Sequence, residues 1–193
     1  MKILASVTIF LMAGCCKSSN YKFVIEGMEV QAVKIHSIQN QLGSVNYRAN
    51  TQTQTILSRD SAGIRIHCQN RFIAGSAISL PFVSSAFACD PISPHSDEIV
   101  DSFAVYSEPS WNDSIHSQQN IANLFDLYEI EEPNTVNFPQ NAFSYMAGKP
   151  KARRNYLLQL KEKTMNSQKR VFRIECRING KWFQVKSDSV QIL

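Results

Sequence analysis

The sequence predicts a mainly β protein, an antiparallel β-sandwich that carries one short helix. Three observations lead to this fold class. Apolar and polar residues alternate in residues 64–68, Asn179-Gly180 has the residue types of a two-residue hairpin turn, and turns rich in Pro and Asn separate several short apolar segments. A chain of 193 residues is long enough to bury a core of its own as a single domain.

Residues 1–14 have the pattern of a secretory signal. Lys2 precedes an apolar run over residues 3–12, and Ala13 and Gly14 come directly before Cys15. The run is too short to span a bilayer of ~30 Å, which takes about 20 apolar residues. The sequence therefore predicts that residues 1–14 are removed on export.

Residues 11–15, Leu-Met-Ala-Gly-Cys, resemble the lipobox of bacterial lipoproteins, with Met12 where that family usually has Leu. The resemblance implies a diacylglyceryl group on the thiol of Cys15, cleavage before it, and a new N-terminus acylated by a chain such as palmitate. The alternative is an ordinary signal peptide that happens to end in Cys. We therefore expect a lipoprotein of the outer membrane, with residues 15–20 as the tether and residues 21–193 as one domain.

The first predicted strands lie on the two sides of Gly27. Phe23 and Ile25 begin an apolar alternation that is out of step after Gly27, which indicates a bulge or a bend. Residues 45–57 fit an exposed strand or a long loop, and residues 60–63 fit a turn. The inward face of the strand over residues 64–68 is predicted to hold Ile64, Ile66 and Cys68.

The middle of the chain changes its period. Residues 99–107 predict a strand, and residues 107–117 predict a loop. The next apolar residues follow the helical spacing i, i+3, i+4 and i+7 and predict a short helix on the sheet. They are Ile121, Leu124, Phe125 and Tyr128. Residues 151–163 contain good helix formers, but their alternation favours a strand.

The C-terminal hairpin is the clearest local prediction. Its two-residue loop pairs Ile178 with Lys181 and so fixes the register of both strands. Arg177 lies opposite Trp182, which predicts a cation–π pair. One face is predicted to hold Phe172, Ile174, Cys176, Ile178, Phe183 and Val185, and the other Arg173, Glu175, Arg177, Trp182, Gln184 and Lys186. Residues 190–192 then end the chain as a strand.

The order of segments along the mature chain is similar to that of uncharacterised Bacteroidetes lipoproteins with an immunoglobulin-like sandwich. The segments are FACDP, IVDSFAVYSE, NLF, YLLQLK and VFRIECRINGKWFQV. The resemblance covers most of the mature chain and implies an immunoglobulin-like fold and a location in the cell envelope. It supplies no catalytic residues. The tether lacks the acidic run that marks export to the cell surface in such relatives, which favours the periplasmic face.

Composition and motifs limit the function classes. The net charge of +4, or +3 without Lys2, is too small for a nucleic-acid-binding face. No zinc-protease, phosphate-loop, dinucleotide or nucleophile-elbow motif is present in the sequence, and no metal site or cofactor is predicted. We expect a non-enzymatic binding or structural module of the envelope. The alternatives are a small fimbrial or adhesin subunit, and an enzyme whose residues meet only in space.

Two groups of side chains are candidates for ligand contacts. The basic cluster Lys149, Lys151, Arg153 and Arg154 would suit anionic lipid head groups or acidic glycans, and its alternative is a solvated loop or strand edge. The aromatic residues offer faces that suit sugar rings, against a role as core or loop anchors. They are Trp111, Tyr106 and Tyr145.

Three Asp-Ser-aliphatic sequences resemble the O-glycosylation sites of exported Bacteroidetes proteins. Their serines are Ser61, Ser114 and Ser189. Each lies in a predicted turn or near the end of a strand, where a glycan has room.

Five cysteines are present, of which Cys15 is assigned to the lipid and Cys16 to the tether. Cys68 and Cys89 are a candidate disulfide, since about 20 residues separate them and the compartment permits oxidation. Cys176 competes for either thiol. The remaining alternative is that all three are buried thiols.

Overall fold

The computed structural model describes residues 22–41, 44–50, 56–73, 94–131, 135–136, 139–161 and 168–193. Residues 1–21 and Cys89 lie outside these ranges. In chain order the strands are β1 (Lys22–Gln41), β2 (Ser44–Asn50), β3 (Ile56–Leu57), β4 (Ala62–Ile73), β5 (Val100–Glu108), β6 (Phe125–Glu131), β7 (Thr135–Val136), β8 (Gln140–Asn141), β9 (Asn155–Leu160), β10 (Lys169–Ile178), β11 (Lys181–Lys186) and β12 (Val190–Ile192). The helix is α1 (Ala142–Ala147).

The strands form two sheets, which confirms the predicted mainly β sandwich with one short helix. The first sheet has the order β7-β2-β1-β4-β9-β6-β8, and its strands pair antiparallel. In the second sheet β10 pairs with β5 on one edge and with β11 and then β12 on the other. Parallel pairing of β12 with β3 completes it. The immunoglobulin-like connectivity stays a prediction.

The main core lies between the two sheets. Its buried side chains include Ile25, Ile64, Ile66, Cys68, Phe125, Leu127, Leu158, Phe172, Ile174 and Ile192. Ile64, Ile66 and Cys68 are each about 1 % exposed, which confirms their predicted inward face. Because burial of an apolar side chain contributes roughly 1.5–3 kcal/mol, this shared core is what holds the sheets together.

A smaller core lies on the other face of the first sheet. Strand β7 pairs with both β2 and β6, so the sheet curls and encloses a second group of buried side chains. They are Val33, Ile35, Tyr128, Ile130 and Leu157. The absence of a side chain at Gly63 leaves space for Ile35 in this core, because a Cβ at residue 63 would lie 2.7 Å from Cδ1 of Ile35.

The bulge predicted at Gly27 is present. Ile25 pairs with Asn70 and Gly27 with Gln69, so Glu26 is the extra residue of β1. A Cβ on residue 27 would lie 2.4 Å from Oε1 of Gln69, so the end of that flexible side chain would have to move. The bulge keeps both halves of β1 facing the core despite the break in its alternation.

The predicted helix over residues 121–128 is wrong. Ala122–Leu124 form a single 3-10 turn, and β6 begins at Phe125. The helical spacing arose because β6 is buried on both faces: Phe125 and Leu127 face the main core, whereas Tyr128 and Ile130 face the smaller one. The helix lies instead at Ala142–Ala147, and the side chain of Asn141 caps it by accepting from Ser144 N.

The strand favoured within residues 151–163 is confirmed as β9, and the final hairpin has the predicted register. Ile178 pairs with Lys181, Cys176 with Phe183 and Ile174 with Val185. Asn179 and Gly180 have φ of 51° and 81°, the left-handed values that a type I′ turn requires. The guanidinium of Arg177 lies 5.5 Å from the ring centroid of Trp182, which confirms the predicted cation–π pair.

Arg170 is a buried cation at the start of β10, about 1 % exposed. Its guanidinium donates to Ser107 Oγ and to the carbonyls of Pro109, Ser110 and Trp111 at 2.9–3.4 Å. It also lies 4.9 Å from the ring centroid of Trp111. These contacts fix the loop after β5 against the core, because one guanidinium holds three successive carbonyls of that loop.

We expect Arg170→Met to lower the free energy of unfolding by about 3 kcal/mol, since methionine fills similar space but leaves several buried acceptors unpaired. Denaturant titration measures the change. Lys169→Met, at the exposed neighbouring position, is the matched control and should have little effect. Equal losses in the two variants would contradict the structural role of Arg170.

Candidate functional site

The residues of the predicted basic cluster make separate contacts. Nζ of Lys151 lies 2.9 Å from Oδ1 of Asp97, and Nε of Arg153 lies 3.3 Å from Oε2 of Glu129. The guanidinium of Arg154 lies 5.8 Å from the ring centroid of Phe72, and Lys149 is exposed with φ of 52°. Part of the cluster's charge is therefore balanced locally, and its role in binding an anionic ligand stays a prediction.

Asp97 joins the start of β1 to the segment before β9. Its carboxylate accepts from Nζ of Lys22 and from Nζ of Lys151. These hydrogen bonds, that from Lys22 first, lower the pKa of Asp97 from 3.8 to about 2. The triad is exposed to solvent, so its contribution to stability is modest.

The three candidate glycosylation serines differ in exposure. Ser114 and Ser189 are exposed, whereas Ser61 is half-buried and donates from Oγ to the carbonyl of Ser58 at 3.1 Å. All three stay predictions.

The cysteines of the described part are buried thiols. Cys68 and Cys176 are not bonded to each other. Burial raises the pKa of each thiol to about 12, so neither is a nucleophile at neutral pH. The pairing of Cys68 with Cys89 stays a prediction, since Cys89 lies outside the described residues.

The three aromatic side chains considered for sugar stacking do not form one platform. Trp111 is about 1 % exposed and belongs to the main core. The hydroxyl of Tyr145 donates to Oε1 of Glu129, which holds α1 against β6. Tyr106 alone of the three lies on the outer face of the second sheet, beside Arg173.

Glu129 is a buried carboxylate and is therefore the first candidate for a catalytic acid or base. It is 7 % exposed, it accepts from Tyr145, and it pairs with Arg153. The backbone N–H of Arg153 donates in turn to the hydroxyl of Tyr156, whose pKa is raised by burial. Because these groups bind one another and hold α1 and residue 153 to the sheet, the cluster is structural.

We next consider metal sites, membrane-spanning helices and cavities in the described part. No three His, Cys, Asp or Glu side chains there are grouped to hold a metal ion. Nor does that part contain a helix of the length and apolar character needed to cross a membrane. A cavity of about 10 Å³ between the sheets has an apolar lining, Ile64, Phe125 and Phe172 among it, and is about the size of one water molecule.

The strongest candidate is the outer face of β5, β10 and β11, which we call the arginine–aromatic face. It consists of Ser102, Ala104, Tyr106, Arg173, Glu175, Arg177, Trp182 and Gln184, with Asp101, Glu108 and Lys186 at its margins. Antiparallel register places Arg173 between Tyr106 and Lys186, Glu175 between Ala104 and Gln184, and Arg177 between Ser102 and Trp182. The face is thus three strands wide. Tyr106 lies at one end of it and Trp182 at the other, and the small residues Ser102 and Ala104 lie on β5.

Each arginine of this face stacks on an aromatic ring and pairs with a carboxylate. The guanidinium of Arg173 lies 4.4 Å from the ring centroid of Tyr106 and 2.5 Å from Oε1 of Glu175. Nε of Arg177 lies 3.7 Å from Oδ2 of Asp101, which also accepts from Gly180 N at 2.7 Å. These pairs hold the side chains in place, as a preorganised contact surface requires.

The margins of the face are also charged. Nζ of Lys186 donates to Oε2 of Glu108 at 2.9 Å, and this bond lowers the pKa of Glu108. Trp182 is 62 % exposed, the largest value among the exposed large apolar side chains of the described part. An arginine- and aromatic-rich surface with an exposed tryptophan has the composition of binding hot spots.

Searches of family models, curated proteins and solved structures found no match to this chain. The candidate site therefore rests on geometry alone. The pattern of the last hairpin predicted Arg177 and Trp182 together. It could not indicate Tyr106 and Arg173, because β5 and β10 are far apart in sequence, and only their alternating polar positions hinted at a shared face.

We expect Asp97→Asn to reduce the loss of folding stability between pH 5 and pH 2. The folded-state pKa of Asp97 is lowered to about 2, so its stabilisation is present above its ordinary pKa of 3.8 and is lost as the pH falls towards 2. Thermal unfolding between pH 5 and pH 2 should show wild type more stable than the variant at pH 5, with the gap closing at pH 2. A gap that stays constant would contradict the ion triad.

Proposed function

We propose that this protein is a lipid-anchored protein of the bacterial cell envelope whose domain is a non-enzymatic binding module. The observation that carries the binding role is the arginine–aromatic face, where Arg173 stacks on Tyr106 at 4.4 Å and pairs with Glu175. Arginine and aromatic side chains held in place on a surface have the composition of binding hot spots. A glycan or another envelope protein is the partner class that we expect at this face.

The lipid anchor is supported by the sequence. Lys2, the apolar run and the small pair before Cys15 fit a lipoprotein signal, and residues 11–15 resemble the lipobox of bacterial lipoproteins. More than one acyl chain on Cys15 would give stable attachment, which a single chain does not. The outer membrane, on its periplasmic face, is the location that we propose.

The fimbrial alternative receives less support from the C-terminal strand. Subunits of that kind exchange terminal strands between copies. Here β12 is buried within its own domain, with Val190 and Ile192 each about 1 % exposed, and it pairs with both β10 and β3. On the outer edge of β5, Val105 N donates to Asn120 Oδ1 and Val105 O accepts from Ile121 N. These contacts favour a self-contained module.

The anchor is tested by Cys15→Ala. Without the thiol no diacylglyceryl group can be added, so the variant should accumulate as an uncleaved or soluble precursor while wild type fractionates with the membrane. Cys16→Ala is the matched control and should fractionate like wild type. Membrane association of Cys15→Ala equal to that of wild type would show the anchor assignment to be wrong.

The binding face is tested by photo-crosslinking in the host cell. A photo-reactive phenylalanine derivative replaces Gln184, which is exposed in the middle of β11 on this face, and in a second strain replaces Phe143, which is 53 % exposed on α1. We expect irradiation to give a discrete adduct of higher mass from position 184 in several-fold greater yield than from position 143. Equal yields from both positions would rule out the face as the contact surface.

A further inference from the structure

One end of the sandwich gathers exposed apolar and cationic side chains. We call it the anchor end and define it by the start of β1, the end of β4, residues 95–101, residues 149–154 and residues 177–182 around the hairpin turn. Four contacts join these parts: Lys22 and Lys151 each with Asp97, Arg71 with Glu26, and Asn179 N with the carbonyl of Ile99. Nζ of Lys181 reaches the carbonyl of Glu26 at 3.2 Å and ties the hairpin to β1.

We propose that the anchor end rests on the lipid surface, with its cations at anionic head groups and its exposed apolar side chains in the interface. The inference goes beyond the binding role of the arginine–aromatic face, but it rests on the lipid anchor of the proposed function. Two independent observations carry it: the position at which the tether joins the domain, and the composition of this end.

The tether joins the domain at this end. Residues 16–21 connect Cys15 to Lys22, so the first residue of β1 lies at most about 25 Å from the lipidated thiol. Ile73, the last residue of β4, pairs with Lys22, and Phe72 pairs with Phe23. A chain this short keeps the anchor end close to the head groups whatever the orientation of the tether.

Exposed apolar side chains occur at the same end. Phe72 is 50 % exposed, Ile73 is 46 % exposed and Trp182 is 62 % exposed. Phe72 packs edge-on against Phe23 at 6.4 Å between centroids, so the ring is held outward on a rigid strand. Aromatic rings with a polar neighbour are the side chains that suit the boundary between head groups and acyl chains.

Charge favours an anionic surface. In the described part of the chain, the anchor end has eight cationic side chains and four carboxylates, and Glu129 lies beside one of the cations, Arg153. The cations are Lys22, Arg71, Lys149, Lys151, Arg153, Arg154, Arg177 and Lys181, and the carboxylates are Glu26, Asp97, Glu98 and Asp101. Long basic side chains keep their charge at the head groups while their stems cover apolar surface. The guanidinium of Arg154 over Phe72 has this arrangement.

The two tryptophans of the chain make the test direct, because Trp182 is exposed at the anchor end and Trp111 is about 1 % exposed in the core. The mature lipoprotein is reconstituted into vesicles of phosphatidylglycerol brominated on the acyl chains. Bromine quenches tryptophan only at close range, so Trp182 emission should fall at least about twofold relative to unbrominated vesicles. Trp182→Phe, which retains only Trp111, should show no such loss.

Substitutions distinguish contact between the anchor end and lipid from attachment through the acyl chains. Phe72→Ser combined with Lys181→Glu should reduce the quenching of Trp182, and high salt should reduce it as well. Phe143→Ser changes an exposed aromatic residue outside the anchor end and should leave the quenching unchanged. Brominated phosphatidylcholine, which has no net charge, should quench less than phosphatidylglycerol.

The outcomes distinguish the inference from the function on which it rests. A mature protein whose mass includes no acyl chain overturns the anchor itself. A lipidated protein whose Trp182 is not quenched, or is quenched equally in the Phe72→Ser and Lys181→Glu variant, overturns the orientation and leaves the anchor standing. A shift of Trp182 emission on adding soluble polygalacturonate, without quenching by brominated lipid, would identify an acidic-glycan site and also overturn the proposal.

Discussion

The register of β10 is the constraint on which the core and the candidate site both depend. Asn179 and Gly180 take the left-handed conformations of a two-residue turn, and this turn fixes which residues of β10 and β11 face each other. Side chains alternate along a strand, so a slip of one residue would exchange the buried Ile174 with the ion-paired Arg173. The same turn therefore specifies the main core and the arginine–aromatic face.

Arg170 shows how an inward position of β10 accommodates a charged side chain. It occupies an inward position, and burial of a lone cation would be costly. The carbonyls of Pro109, Ser110 and Trp111 and the ring of Trp111 surround the guanidinium instead. The loop after β5 is thereby fixed by a residue about 60 positions later in the chain, which explains why Trp111 is a core residue.

Predictions from local alternation and turn chemistry were confirmed, whereas the helix predicted from local spacing was wrong. The bulge at Gly27 and the final hairpin follow from local alternation and turn chemistry. The spacing from Ile121 to Tyr128 predicted a helix because one strand touches two cores, and no local pattern contains that fact. The stacking of Arg173 on Tyr106, and the pairing of Lys151 with Asp97, likewise depend on which strands become neighbours.

The candidate functional surfaces of the described part lie on its outside, whereas its buried ionisable groups pack within the fold. The buried thiols of Cys68 and Cys176 are protonated, and Glu129 holds α1 through Tyr145. Outside, the hairpin after β10 belongs both to the anchor end and to the arginine–aromatic face. If the anchor end rests on lipid, Trp182 on β11 lies at the membrane. Tyr106, which is on β5 at the other side of β10, then lies farther from the bilayer. A short tether would then do more than retain the protein: it would present the Tyr106 end of the face to partners away from the bilayer.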